Sequence, residues 1–319
     1  IDIIRVNPNR GNIYDRNGNL LAKNLAVFNL YAVPKFINEE SVEFLLQNIK
    51  LTDKQKEKLI SIIKAKVKPK ENILIKEKLD SKELSLIESR LFRLSGIDII
   101  PEPFRYYPEN GIPSHIVGYI NKINQSELAS KKNESYIGED YIGRMGIEKY
   151  LEKYLRGKPS KKIIVRDKNG AIKNNNEFKT LIDSKNDDIS PPEEGNDVYL
   201  TLDLELQKEI DEIFYNIRSG SAIVIDVDTG DVLAIYSKPT FNPNMIVSGE
   251  DKDYIKDIFT DELQPTMNKV FKQYYPGSVF KVITALAALD LGTVKEEDKC
   301  DCEGVESYGN TLFRCWKRD

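Results

Sequence analysis

The sequence predicts an α+β fold, and three observations carry that prediction. Asn17-Gly18 lies between two apolar runs, and both residues tolerate the positive φ that closes a hairpin. Residues 38–96 are rich in Lys, Glu, Leu and Ile and repeat apolar residues every three or four positions, as amphipathic helices do. Ala222–Val227 and Val232–Tyr236 are joined through Asp228-Thr229-Gly230. That link is too short for the crossover parallel strands need, so the pair is antiparallel.

In chain order, residues 1–35 read as extended structure with turns, and the alternation of Val27, Leu30 and Val33 continues a sheet. Helices are expected at 41–49 and 53–65, started by Ser41 and Asp53, and a third at 82–92, capped by Ser81 and ended by Gly96. Their lysines read as a solvated face. Residues 97–150 return to short strands and turns, after which Gly143–Glu148 opens a helix over Lys149–Leu155. A hairpin is expected at 162–172 around Lys168-Asn169-Gly170, and a polar linker at 173–196. Beyond it come a strand at Val198–Leu202, a helix over 204–217 capped by Asp203, and the hairpin described above. Residues 240–277 read as loop, and a strongly apolar, buried helix, Val279–Leu291, comes after Pro276-Gly277.

A length of 319 residues suits about two domains of ordinary size. With 47 Lys and Arg against 51 Asp and Glu, the net charge of −4 offers no basic face for duplex nucleic acid, so no nucleic acid partner is expected. No run approaches the roughly 20 apolar residues of a membrane span. The single histidine, His115, excludes a multi-histidine metal site and is read as a structural hydrogen-bonding residue. The three cysteines, Cys300, Cys302 and Cys315, fall within the last twenty residues, so no disulfide framework staples the bulk of the chain.

Ser278-Val279-Phe280-Lys281 is the sharpest chemical feature. Residues three apart on a helix share a face. Serine needs a neighbouring base to act as a nucleophile, and a neutral amine can serve. At a helix start the macrodipole and apolar neighbours (Val279, Phe280, Val282, Ile283) both disfavour the ammonium form of Lys281. The free N–H of Ser278 is placed to hold an oxyanion. The bland alternative is an N-capping serine beside a lysine whose head reaches solvent. Ser61-Ile62-Ile63-Lys64 has the same spacing within a Lys-rich helix and reads as coincidence.

Tyr275-Pro276-Gly277-Ser278-Val279-Phe280-Lys281 resembles the active-serine segment of penicillin-binding proteins and serine β-lactamases. Other segments resemble class B penicillin-binding proteins in the same order. Arg10-Gly11 with Asp15-Arg16-Asn17-Gly18 is similar to the start of their pedestal. Pro113–Tyr119, and Gly143-Arg144-Met145-Gly146-Ile147-Glu148 with Leu155-Arg156-Gly157, are similar to later pedestal motifs. Leu200-Thr201-Leu202-Asp203 with Leu206-Gln207 resembles the entry to the transpeptidase domain. Asp226–Gly230, Leu233-Ala234, Ser237, Pro239 and Asn244 resemble the first hairpin of that domain, and Asn268 matches before the active-serine loop. Cys302-Glu303-Gly304 and Phe313-Arg314-Cys315-Trp316-Lys317 resemble the elongation-type subfamily, penicillin-binding protein 2.

The resemblance implies an elongated β-rich pedestal over residues 1–193, with a helical head inserted at about 36–137. Residues 194–319 would then be the first half of an antiparallel-sheet and helix transpeptidase domain of the serine β-lactamase kind. It implies that Ser278 attacks the D-Ala-D-Ala carbonyl of a peptidoglycan stem peptide, with Lys281 as base, and that β-lactams acylate the same serine. It implies location on the periplasmic side of the bacterial inner membrane, with an N-terminal span absent from this chain. The expected partners are a SEDS-family glycan polymerase and rod-shape scaffold proteins. The family's Ser-x-Asn and Lys-Thr-Gly elements do not occur after Lys281. Ser184-Lys185-Asn186 matches the first only in spelling. The chain therefore reads as truncated, and the alternative function is a non-catalytic pedestal and interaction fragment. No cofactor is required. Cys302 and Cys315 match two ligand positions of a partial zinc site, and a disulfide or free thiols at Cys300, Cys302 and Cys315 stand beside that reading.

Overall fold

The structure is a computed structural model and describes residues 2–65, 72–131, 135–138, 140–166, 172–173, 191–299 and 303–315. It forms two compact units, Ile1–Val270 and Phe271–Asp319. The motifs divide the chain at 193/194, whereas compactness divides it after Val270.

The first unit is organised on one long strand. β1 (Asp2–Val6) pairs antiparallel with β8 (Ser160–Arg166), which pairs with β9 (Ile172–Lys173). The turn expected at Lys168-Asn169-Gly170 and most of the linker lie outside the described residues. β2 (Ile13–Tyr14) turns through Gly18, φ +84°, into β3 (Leu20–Ala32), the hairpin that Asn17-Gly18 predicts. β3 pairs along most of its length with β5 (Ile97–Tyr106), from Lys23 opposite Tyr106 to Ala32 opposite Ile97. On its other edge β2 covers one end and β4 (Ile73–Lys76) the other.

Three helices, Glu39–Asn48, Asp53–Lys64 and Ser81–Glu88, pack on the β4 end. Leu45, Leu59 and Ile87 meet Leu30, Ala32 and Ile97 of the sheet in one buried cluster. Their caps lie upstream of the expected residues. Asn38, not Ser41, accepts from the Ser41 N–H, while Thr52 and Asp80 form capping boxes with Gln55 and Glu83. The expected helical head at about 36–137 is thus only partly helical, since it also holds β4, β5 and β6 (Ile120–Lys122), which pairs with β7 (Tyr141–Gly143).

Residues after 193 join the first unit by specific bonds. β10 (Val198–Tyr199) runs parallel to β2. The carboxylate of Asp15, fully buried, accepts from the N–H groups of Asn17, Asn19 and Leu204. Burial alone would raise the Asp15 pKa, but these hydrogen bonds hold it below the ordinary carboxylate value. Asn244 clamps the Tyr107 backbone, accepting from its N–H at 2.9 Å and donating to its carbonyl at 2.8 Å. One core cluster therefore runs from Ile13 and Leu21 through Tyr107 and Leu155 to Leu204 and Val247. Asp203 caps the helix Leu204–Ile213, as expected, and β11 (Gly220–Ile225) pairs antiparallel with β12 (Val232–Lys238). Residues 240–277 are not all loop: Asn242 with Pro243 starts a helix Pro243–Ser248, and Asp251 starts another, Lys252–Thr260.

At the centre of this unit lies a buried charge network. Arg10 Nε donates to Glu148 Oε2 at 2.5 Å, and its Nη2 donates to Glu152 Oε2 at 2.7 Å and to the Glu148 carbonyl at 2.8 Å. Arg105 Nε donates to Glu148 Oε1 at 2.7 Å, and its Nη1 to the Gly11 carbonyl at 2.8 Å. The Tyr107 hydroxyl and the Gly143 N–H donate to Glu148 and Glu152 respectively. Burial pushes the Glu148 pKa up, but the two guanidinium groups more than offset it and hold the carboxyl below its ordinary value. Gly11 is required beside this network, because a Cβ there would stand 1.8 Å from the Asn196 carbonyl oxygen.

Replacing Glu148 by Gln leaves Arg105 without its counter-charge and Arg10 with one of two. Because a half-removed buried ion pair strands desolvated charge, the unfolding free energy should fall by about 3–5 kcal/mol, read as a lower urea midpoint.

Candidate active site

The second unit carries the serine and the lysine singled out in the sequence. Gly277 takes φ +56°, a left-handed conformation that glycine adopts without strain, and turns the chain into a 3-10 turn, Gly277–Val279. An α-helix, Phe280–Asp290, continues from it. Ser278 sits in the 3-10 turn and Lys281 in the first turn of the α-helix, so the pair spans the junction. Neither helix start has a side-chain capping bond, and the N-cap positions are Pro276 and Val279. The N-capping reading of Ser278 therefore fails. The hydroxyl of Ser61, by contrast, donates back to the Lys58 carbonyl at 2.7 Å within the helix Asp53–Lys64, as an ordinary helical serine does.

One expectation is corrected here. The helix after Ser278 is not buried: Val279 is 76% exposed, Phe280 52%, Val282 62% and Ile283 57%. An apolar helix of this kind needs a covering surface. The apolar shell expected to keep water from Lys281 is itself in water. β11 likewise exposes Ile223 and Ile225.

The unit ends in a hairpin not anticipated from the sequence, β13 (Val305–Tyr308) with β14 (Thr311–Arg314), closed by Gly309-Asn310 with Gly309 at φ +57°. Cys315 comes directly after β14, exposed and without a disulfide among the described residues, and its N–H donates to the Gly304 carbonyl at 2.9 Å. Cys300, Cys302 and Ser184-Lys185-Asn186 lie outside the described residues. Among the described residues no three His, Cys, Asp or Glu side chains converge to hold a metal. Of the two residues suggested for a zinc site, Cys315 alone lies among the described residues.

His115, in the one-turn helix Ser114–Val117, is 5% exposed. A carbonyl can only accept, so Nε2 carries the proton and donates to the Pro265 carbonyl at 2.6 Å. Phe241 meets the ring edge-on at 5.3 Å. Burial pushes the His115 pKa down to about 4, with the bond to Pro265 opposing and the Lys269 charge assisting. Asn268 is nearby in sequence, its Oδ1 accepting from the Val270 N–H. No described helix is long and apolar enough to cross a membrane.

The histidine makes stability pH-dependent. Its folded pKa lies below the unfolded value of about 6.5. Its contribution is complete above that pH and is lost as pH falls toward 4. Since the chain has one histidine, no other side chain ordinarily titrates between pH 5 and 7. Unfolding free energy should therefore fall by about 2 kcal/mol between pH 7.5 and 5, and the same pair of urea titrations should give a nearly flat response in His115→Phe.

A family model described as the penicillin-binding protein dimerisation domain matches residues 5–200, and one described as the penicillin binding protein transpeptidase domain matches residues 220–319. The peptidoglycan D,D-transpeptidase MrdA of Acinetobacter baumannii is 33% identical over 98% of this chain and 45% of its own length. MrdA of Escherichia coli K12 is 29% identical over 92% of this chain and 46% of its own length. A solved structure of the penicillin-binding protein PBP2 of Helicobacter pylori in complex with MreC superposes with a TM-score of 0.78 at 27% identity, covering 99% of this chain and 57% of that one. The chain spans less than half the length of these curated relatives, and its transpeptidase domain is partial.

Proposed function

Because the chain belongs to the penicillin-binding protein family that joins a dimerisation domain to a transpeptidase domain, we propose that the whole protein is a peptidoglycan D,D-transpeptidase of cell-wall elongation. The observation that carries this reading is the Ser278 and Lys281 pair, set at the glycine-turned start of an apolar helix within the stretch that matches the transpeptidase model.

In this reading Ser278 Oγ bonds to the carbonyl carbon of the penultimate D-Ala while its proton passes to the Lys281 amine. The backbone N–H of Ser278, at a helix start, is available to the developing oxyanion. The tetrahedral intermediate collapses, the peptide C–N bond breaks, and the terminal D-Ala leaves with the proton. An amine of a neighbouring stem peptide then attacks the ester, forms the crosslinking amide and returns a proton to Ser278. A β-lactam enters the same first step and stays as a stable ester.

The proposed location is the periplasmic side of the bacterial inner membrane, where a peptidoglycan substrate would be met. The H. pylori relative is held in a complex with MreC, which supports a rod-shape scaffold protein as a partner of the whole protein. A SEDS-family glycan polymerase is the second proposed partner. The exposed apolar helix favours a companion reading for the isolated chain. By itself it serves as an interaction fragment, and acylation belongs to the protein in which that helix is covered.

Intact-mass measurement after incubation with penicillin tests both readings. The full-length protein should gain one β-lactam mass that Ser278→Ala does not. An adduct on the full-length Ser278→Ala variant would overturn the assignment of the nucleophile. For this chain alone the expected result is little or no adduct on folded material.

A further inference from the structure

The chain leaves the first unit through a strap, residues 264–270, that leads on to Gly277 and Ser278. Four side chains shape the strap. The His115 Nε2–H reaches the Pro265 carbonyl at 2.6 Å. Ser237, near the end of β12, donates from Oγ to the Met267 carbonyl at 3.2 Å and accepts from the Lys269 N–H at 3.0 Å. Within the strap, buried Lys269 donates to the Gln264 carbonyl at 3.3 Å, and Asn268 accepts from the Val270 N–H at 3.1 Å. Of these, only His115 belongs to the stretch that matches the dimerisation model.

His115 is not placed there by packing alone. Its site is apolar on one side, with Phe241 edge-on, and burying an imidazole in it costs desolvation that a phenyl ring would avoid. What the imidazole adds is the N–H to Pro265. Its helix is also wedged in place. A Cβ on Gly118 would stand 1.8 Å from the Met145 carbonyl oxygen, and one on Gly146 would stand 2.2 Å from that of Ile116. Helix Ser114–Val117 therefore lies directly on the turn that opens helix Gly146–Tyr150, which carries Glu148 and so the Arg10 and Arg105 network. One continuous set of close contacts runs from the buried charges, through Gly146 and Ile116, to His115 and the strap.

We propose that His115 is a positioning residue for acylation: its hydrogen bond to Pro265 fixes the strap from which the chain runs on to Ser278. The inference rests on Ser278 being the acylated residue.

The test uses the full-length protein and a fluorescent penicillin, with acylation rates and amide hydrogen exchange measured in parallel. His115→Phe keeps the ring and removes the donor. It should lower the acylation rate constant about tenfold and speed exchange at 266–270. His115→Gln, whose side-chain amide N–H replaces the lost donor, should recover the rate to within about threefold of the parent. Ser237→Ala loosens the same strap from its other side and should also slow acylation. A folded His115→Phe protein that is acylated at the parental rate overturns the inference. If His115→Phe does not fold, a parental rate in Ser237→Ala overturns it instead. Equal labelling of the parent and Ser278→Ala overturns the underlying reading and this inference together, whereas an inert Ser278→Ala with fast His115→Phe overturns the inference alone.

Discussion

The first unit depends on a carboxylate that two arginines share. Glu148 is fully buried and stays ionised because Arg10 and Arg105 approach it from opposite stretches of the chain. Arg105 could not enter the interior without it, and Arg10 would keep only Glu152, since desolvated charge demands a partner. The network fixes geometry as well as charge. Arg10 also binds the Glu148 carbonyl and Glu152, and Arg105 binds the Gly11 carbonyl, so three stretches of the chain, 10–11, 105 and 148–152, are brought to one point. The glycines on this path, Gly11, Gly118, Gly143 and Gly146, leave no room for a Cβ because backbone must meet backbone there. Here a few long-range polar bonds are set beside the apolar cluster that runs from Ile13 to Val247. The three-helix part of the unit, by contrast, is held by an ordinary cluster around Leu45, Leu59 and Ile87.

Much of this architecture is legible in the sequence, and the divisions are physical. Local chemistry reads well: Asn17-Gly18 makes its hairpin, Asp203 caps its helix, and Asp228-Thr229-Gly230 joins an antiparallel pair. Caps differ from expectation where a better acceptor stands a residue or more upstream. Thr52 with Gln55 and Asp80 with Glu83 are visible as capping boxes in the sequence, and they outrank Asp53 and Ser81 because both partners satisfy free N–H groups. The helices Pro243–Ser248 and Lys252–Thr260 are hidden by shortness, although Asn242-Pro243 is a start signal. Long-range pairing is not legible. Nothing local says that β10 lies parallel to β2, or that Asn244 clamps Tyr107 across 137 residues.

The candidate site divides in the same way. Spacing places Ser278 and Lys281 one turn apart, and the glycine before them makes the turn, so the pair itself is read from seven residues. The role of His115 could not be read so, because its acceptor is a backbone carbonyl 150 positions away and any residue could have supplied it. The motif around it marks the segment without saying what the segment touches.

A well-placed pair is not yet a reactive one. A lysine acts as a base when water is kept from it, and a serine is held for attack when its helix cannot move. Both conditions are set by what lies over the helix Phe280–Asp290, whose apolar side chains stand in solvent along nearly its whole length. The geometry of the proposed nucleophile is thus encoded locally, in Gly277 and the spacing after it, while its reactivity would depend on whatever surface covers Val279, Phe280, Val282 and Ile283. On the proposal made for His115, what that residue adds is position rather than reactivity: it holds the Pro265 carbonyl of the strap and supplies no reacting atom.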